Sequence, residues 1–308
     1  MHRRRFIAAA GALVFPAASS NGAPGREERV AFSEGSEPPR QAMPDPSCDC
    51  HMHIYDDRFP AAPNATLRPP NATVDDYRSL QARLGTTRTV VVTPSTYGTD
   101  NRMLDALGRF GANARGYRRA GYNGDERRAQ SSCRGRCAGD PLQYGGGSVT
   151  TIAMIEPLAK RVNDFGWHIQ VNMPPDQLVA NESLLLRLPT PIVFDHMARP
   201  RGNVAAARNG PHGSEAGCGL REGLGQADGT LSRFEAWAAH LSRCRPGRGR
   251  SRQARTRADA LSTDWPHPTH QQHLRDDAML VDRFFQWVPD EAHRQRILVD
   301  NPQVLYPL

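Results

Sequence analysis

The sequence predicts an α/β protein, and for a chain of this length an eight-stranded (β/α)8 barrel of the TIM type. Two observations lead there. Short β-branched or apolar runs alternate with amphipathic helical runs, which is the pattern of βα units wrapped around a parallel sheet. The residues best suited to chemistry, His51, His53, Asp195, His196 and Asp264, all fall at the ends of runs that read as strands, where barrel enzymes carry their sites. At 308 residues the chain is long enough for one such barrel and for a core that needs no staples.

The N-terminus reads Arg3-Arg4-Arg5-Phe6-Ile7, then an Ala-rich apolar run over 8–18. This predicts a twin-arginine-type signal peptide over 1–23, followed by a Pro-rich linker over 24–46 and the barrel over 47–308. The apolar run falls short of the roughly 20 residues that span a bilayer. The expected mature protein is therefore soluble and periplasmic, with no membrane association after cleavage. Cys48 and Cys50 sit too close in sequence for a relaxed disulfide, and no disulfide framework is expected.

Residues 49–55 read as the first strand. Val74–Leu84 reads as a helix with Thr73 as N-cap and Val74, Tyr77, Leu80 and Leu84 on its inner face. A buried strand follows at 87–93 (Thr-Arg-Thr-Val-Val-Val-Thr), then a helix from 100 to 107. Further on, 151–165 is helical, 167–172 a strand, 175–188 helical and 191–197 a strand. The polar and aromatic cluster at 263–268 follows the last strand, and two helices close the chain at 277–287 and 290–299.

Two stretches break this rhythm. Residues 115–148 hold seven Arg against three acids and no Val, Ile, Phe, Met or Trp; residues 200–262 hold eleven Arg against five acids, one Val and no Ile. Neither is expected to supply a buried strand, so strands 3, 4 and 7 are unreadable. Of the 39 basic residues Lys160 is the one lysine, and the formal charge of +7 comes from these two stretches. The bias fits GC-rich coding better than a nucleic-acid partner, since the Arg run at 243–257 has no interleaved aromatics and follows an export signal. Cys133, Cys137, Cys218 and Cys244 also fall here, with a spacing that matches no common zinc site.

In Asp49-Cys50-His51-Met52-His53, side chains two apart lie on one side of a strand, so both imidazoles converge on one point. Ile192-Val193-Phe194 ends in Asp195-His196, and Thr263-Asp264-Trp265-Pro266-His267 follows the final strand. A carboxylate beside imidazoles can activate water and stabilise an oxyanion; the same set can hold a divalent ion.

These motifs, together with Arg58-Phe59-Pro60, Thr93-Pro94-Ser95-Thr96-Tyr97-Gly98-Thr99-Asp100-Asn101, Gly166-Trp167-His168 and Val299-Asp300-Asn301-Pro302, resemble the amidohydrolase superfamily, amidohydrolase 2 type, in the branch with 2-pyrone-4,6-dicarboxylate lactonase and D-galactarolactone isomerase. The resemblance implies a distorted barrel that hydrolyses a lactone of a sugar acid or pyrone dicarboxylate. It implies Asp264 as the base that activates water and His51, His53 and His196 as groups that polarise the carbonyl. Ser95, Tyr97, Asn101 and His267 are the implied substrate-binding residues. The alternative is a sugar-acid lactone isomerase.

Metal-dependent members of the superfamily place two first-strand histidines, a fifth-strand histidine and the last Asp around zinc or a similar ion. Here the fifth-strand run puts His168, Gln170 and Asn172 on one side with His168 near the strand's start, so that an amide holds the expected ligand position, which favours no required metal, with a divalent ion on His51, His53 and Asp264 as the alternative. His168 is then a packed barrel histidine. The resemblance lapses in 115–148 and 200–262, where the family carries further strands and arginines that grip a substrate carboxylate. Both stretches read as translation in a shifted frame, so an inactive product of a damaged gene is the rival reading. The expected partner is a small lactone or dicarboxylate, not nucleic acid; nothing in the sequence indicates an oligomeric state.

Overall fold

A computed structural model describes residues 30–119, 137–143, 150–198, 224–227, 259–306 and 308. Eight strands run in chain order: β1 (Cys48–Met52), β2 (Arg88–Val92), β3 (Ala114–Tyr117), β4 (Cys137–Gln143), β5 (His168–Asn172), β6 (Ile192–Phe194), β7 (Leu224–Ala227) and β8 (Asp259–Leu261). Each pairs in parallel with the next. β8 returns to lie beside β1. Just past β8 the chain continues the seam, with the Asp264 N–H donating to the His51 carbonyl at 3.0 Å and the His53 N–H donating to the Trp265 carbonyl at 2.8 Å.

Asp49 locks this seam from the helix side. Its carboxylate accepts the Thr263 N–H at 3.0 Å, the Thr263 hydroxyl at 2.6 Å, the Tyr77 hydroxyl at 2.8 Å and the His51 N–H at 3.2 Å. Burial raises the Asp49 pKa, and the bonds from Thr263, Tyr77 and His51 pull against that rise. A buried carboxylate is tolerable only when its lone pairs are filled in this way.

The helices follow the sequence where local signals are strong. Helix α1 (Val74–Leu84) starts on a capping box, in which the Thr73 N–H donates to Asp76 at 2.8 Å and the Asp76 N–H donates to the Thr73 hydroxyl at 3.3 Å. It ends at Gly85, whose φ of 80° is the left-handed C-cap glycine allows. The helix expected from 100 to 107 is instead a 3-10 turn, Arg102–Asp105, leading into α2 (Ala106–Phe110). α3 (Ile152–Asn163) buries Ile155, Leu158, Ala159 and Val162. The helix expected over 175–188 divides at Asn181 into α4 (Pro175–Ala180) and α5 (Glu182–Leu186). α6 (Asp277–Trp287) is as expected, while the last expected helix becomes α7 (Glu291–Gln295), a π turn (Arg296–Asp300) and α8 (Asn301–Leu305). No helix among the described residues is long and apolar enough to cross a membrane.

The two Arg-rich stretches correct the sequence reading, because most of β3 and all of β4, β7 and β8 lie inside them. The physical reason is size. A Cβ on Gly116 would stand 2.7 Å from Leu107, and one on Gly139 would stand 2.5 Å from both the His168 carbonyl and the Tyr117 ring. The glycines that weaken strand propensity are here the residues that let α2 and β5 approach. Cys48 and Cys50 are free buried thiols; Cys137 is disulfide-bonded, against the expectation of none. Residues 120–136, 144–149, 199–223 and 228–258 lie outside the described residues, as does the predicted signal peptide.

Cys48, Cys50, Val90, Val92, Tyr117, Ala260 and Tyr306 form one inner cluster, and a larger cluster joins the barrel to its helices. His168 packs against Tyr117 and Tyr306 with ring centroids 5.0 and 5.4 Å away. Its ring nitrogen is hydrogen-bonded to the Tyr117 hydroxyl. Burial lowers its pKa to about 3, so it is the packed barrel histidine the sequence predicts. Replacing Asp49 with Ala leaves four donors without their acceptor, and urea denaturation is expected to show a loss of about 3 kcal/mol.

Candidate active site

The first-strand histidines owe their direction to a register slip between Asp49 and Met52. Cys48 and Cys50 enter the inner cluster and Met52 the outer one, while His51 and His53 both line a cavity of about 280 Å³ at the mouth of the barrel. Two successive residues, Cys50 and His51, thus point inward, which a β-bulge achieves by re-aiming the strand. The His51 and His53 Nε2 atoms stand 3.2 Å apart.

Asp264 enters from the turn after β8. Its φ is 58°, and those of His196 and His267 are 50° and 57°. Left-handed backbone at residues other than glycine costs free energy and persists where surrounding bonds enforce it. At Asp264 those bonds are its N–H to the His51 carbonyl and the His267 N–H to its own carbonyl at 2.8 Å. The Asp264 carboxylate lies 3.4 Å from His53 Nε2. Burial alone would raise its pKa, but the His53 hydrogen bond and the charges of His196, His53 and His51 outweigh it and hold the carboxyl well below the usual range.

His53 holds its other nitrogen, Nδ1, on the Val92 carbonyl at 2.8 Å; the protonated ring donates its Nε2–H to Asp264, and the neutral ring presents an Nε2 lone pair to the cavity. Burial lowers its pKa, opposed by the hydrogen bond with Asp264. The Gln170 amide lies 2.9 Å from His51 Nδ1, and the Asp195 carboxylate is 3.6 Å from the same atom. With the amide donating to Nδ1, the neutral His51 ring carries its proton on Nε2, facing the centre. His196 completes the group, its ring centroid 5.7 Å from that of His51.

One ligand atom each from His51, His53 and Asp264 lie within 4.8 Å of one another. This donor set fits a divalent cation: two imidazoles and a carboxylate are common zinc ligands, and a carbonyl on the far nitrogen of a ligating histidine is the usual second contact. Gln170 spends its amide on His51.

Ser95 lines the cavity with the four central residues, whereas Tyr97, Asn101 and His267 stand behind the wall. The Tyr97 hydroxyl donates to the Asp56 carbonyl at 3.1 Å and accepts the Asp56 N–H at 2.8 Å. His267 Nε2 lies 3.1 Å from the buried Asp277 carboxylate. Asn101 accepts the Arg119 N–H at 2.7 Å and donates to the Arg119 carbonyl at 2.9 Å. Arg119 itself, buried just beyond β3, is in the cavity wall. Sequence reading passed over it because it stands in the 115–148 stretch; its signal was a lone position, an arginine just past a strand end. His270 at the mouth was also missed.

The chain matches the Amidohydrolase family over residues 48–238 and belongs to that family. It is 27% identical to 2-pyrone-4,6-dicarboxylate hydrolase of Comamonas testosteroni, covering 87% of this chain and 92% of that one. It is 24% identical to D-galactarolactone isomerase of Agrobacterium fabrum, with coverages of 88% and 94%. A solved structure of similar fold is that of a probable 2-pyrone-4,6-dicarboxylic acid hydrolase from Acinetobacter baumannii with citric acid bound, at a TM-score of 0.69 and 19% identity, covering 85% of this chain and 100% of that one.

Because burial depresses the His53 pKa below its ordinary 6.5, the unfolded chain binds more protons than the folded one as the pH falls through that value, and this group's contribution to stability is lost on acidification. Histidine-resolved NMR is expected to find the His53 ring neutral at pH 7, with its titration midpoint below 6.5.

Proposed function

We propose that the protein hydrolyses a lactone of a sugar acid or a pyrone dicarboxylate. The observation that carries this reading is the convergence of Asp264, His51, His53 and His196 in one small cavity that also holds the buried cation of Arg119. An arginine in such a wall suits a substrate carboxylate, because its guanidinium is always charged and matches a carboxylate in shape. The names of the two relatives support a lactone substrate.

The chemistry follows from the hydrogen-bond directions. Asp264, ionised across the neutral range, accepts a proton from water while the Nε2 lone pair of His53 helps orient that water. The resulting hydroxide adds to the lactone carbonyl carbon, and the carbonyl oxygen becomes an oxyanion. The Nε2–H of His51 and the His196 ring stabilise that charge. Collapse breaks the bond to the ring oxygen, and the proton held by Asp264 passes to the departing alkoxide. His53 thereby shifts from the carbonyl-polarising role implied by the resemblance to an accepting one. A divalent ion, where bound, would sit on His51, His53 and Asp264 and supply Lewis-acid polarisation of the carbonyl. The residues present carry the steps without it, and no required metal remains part of the proposal.

Isomerisation is the second reading, favoured by the galactarolactone isomerase relative: a substrate hydroxyl would take the place of water. Action in the periplasm after twin-arginine export also belongs to the proposal. Incubation with 2-pyrone-4,6-dicarboxylate and with a galactarolactone, followed by NMR and pH-stat titration, separates the two reactions. Acid release with ring opening is expected; a second lactone without acid release would establish isomerisation. Activity is expected to survive exhaustive chelation, and a loss restored by zinc would make the metal essential.

A further inference from the structure

Residues 30–35 precede β1 and lie outside the family match, which begins at residue 48. They nevertheless reach the turn that carries Asp264 by two separate routes. The first runs through Trp265. Its indole N–H donates to the Ala31 carbonyl at 2.9 Å, and the Phe32 ring meets it edge to face with centroids 5.7 Å apart. The indole is fully buried, with Tyr77 at 5.3 Å on another side. The backbone of the same residue is sewn to the seam through the His53 N–H.

The second route runs through His267. Its N–H holds the Asp264 carbonyl, and its ring is held by Asp277. The Asp277 N–H donates to the Ser33 hydroxyl oxygen at 3.2 Å, which also accepts from Arg83 at 3.2 Å. The Glu34 N–H donates to the Arg275 carbonyl at 2.8 Å. Both supports of the Asp264 turn, one on each side, therefore rest on residues 31–33. The segment is itself bent to reach them. Phe32 adopts a φ of 61°, and Gly35 a φ of 74° at a point where a Cβ would stand 2.3 Å from Asp276. A bulky side chain in left-handed backbone persists only when surrounding contacts hold it there.

We propose that residues 30–35 are a positioning strap for Asp264, with Phe32 and Ser33 acting through Trp265 and through Asp277 and His267. Asp264 is held in a left-handed backbone conformation that residues other than glycine adopt at a cost, and a small displacement of a group that must meet water and carbonyl carbon together is costly to rate. One corollary concerns export: a cleavage that removed 30–35 along with the leader would yield a folded barrel with a slackened catalytic turn.

The test uses the full chain with Phe32→Ala and, as a variant with almost no effect on packing, Ser33→Ala. The control is Arg40→Ala, which removes an exposed pair with Asp282 farther along the segment. Hydrogen exchange is read at the amides of Thr263, Asp264, Trp265 and His267 and of β2, alongside steady-state hydrolysis of the lactone. The strap predicts exchange about tenfold faster at 263–267 with β2 unchanged, and a kcat reduced about tenfold at constant KM. Phe32→Tyr should restore both, and Arg40→Ala should change neither. Exchange at 263–267 that stays at the wild-type rate in both variants, or an unaltered kcat in an active enzyme, would overturn the proposal. The kcat arm rests on the lactone-hydrolase reading. If the unmodified chain turns over no lactone, that reading fails, and the exchange arm alone decides the strap.

Discussion

The structure depends on a single seam. A parallel barrel must bring its last strand back to its first, and here Asp49 does so by collecting two bonds from Thr263, one from Tyr77 and one from the backbone of His51. A carboxylate buried without those donors would be strongly unfavourable, so the buried Asp49 favours closure with Thr263 in this position. Because Asp264 follows Thr263 and His51 follows Asp49 by two residues, closing the barrel and assembling the site are the same event. The backbone bond from Asp264 to His51 is both the next rung of the seam and the link between the cavity's carboxylate and its imidazoles.

The same economy governs the electrostatics. Asp264 is buried, and burial opposes its charge; the histidines around it reverse that balance and keep it ionised. His53, tied through Nδ1 to Val92 and lowered in pKa by burial, offers a lone pair instead of a proton once its ring is neutral. A carboxylate and a neutral imidazole facing one point can attract either the proton of a water molecule or a cation. The left-handed backbone at His196, Asp264 and His267 is free energy spent on direction, recovered from the packing of Trp265 and the buried His267–Asp277 pair.

Much of this was legible in the sequence where the signal is local. The capping box and inner face of α1, the valines of β2 and the shared side of His51 and His53 follow from spacing; the register slip that turns that side inward does not. β3 and β4 did not, because propensity scores a strand by its side chains, whereas Gly116 and Gly139 are used for the side chains they lack. Arg119 was hidden for the same reason, being one arginine among many in an anomalous stretch. His267 was read as a substrate contact; its ring is held instead by Asp277, ten residues on in sequence, a pairing that strand and helix periodicity do not mark. The support that Ala31, Phe32 and Ser33 give to the 264–267 turn joins positions more than 230 residues apart, beyond the reach of periodicity.

The most direct test of the account is the lactone-hydrolysis rate of Asp264→Asn, measured with the thermal midpoint of the same protein. The substitution keeps the backbone seam and nearly the same volume but removes the proton acceptor. The account predicts a fall in kcat of about a thousandfold with the fold retained. A variant that stays folded and hydrolyses the lactone at the wild-type rate would contradict it, and the water would then have to be activated elsewhere in the cavity.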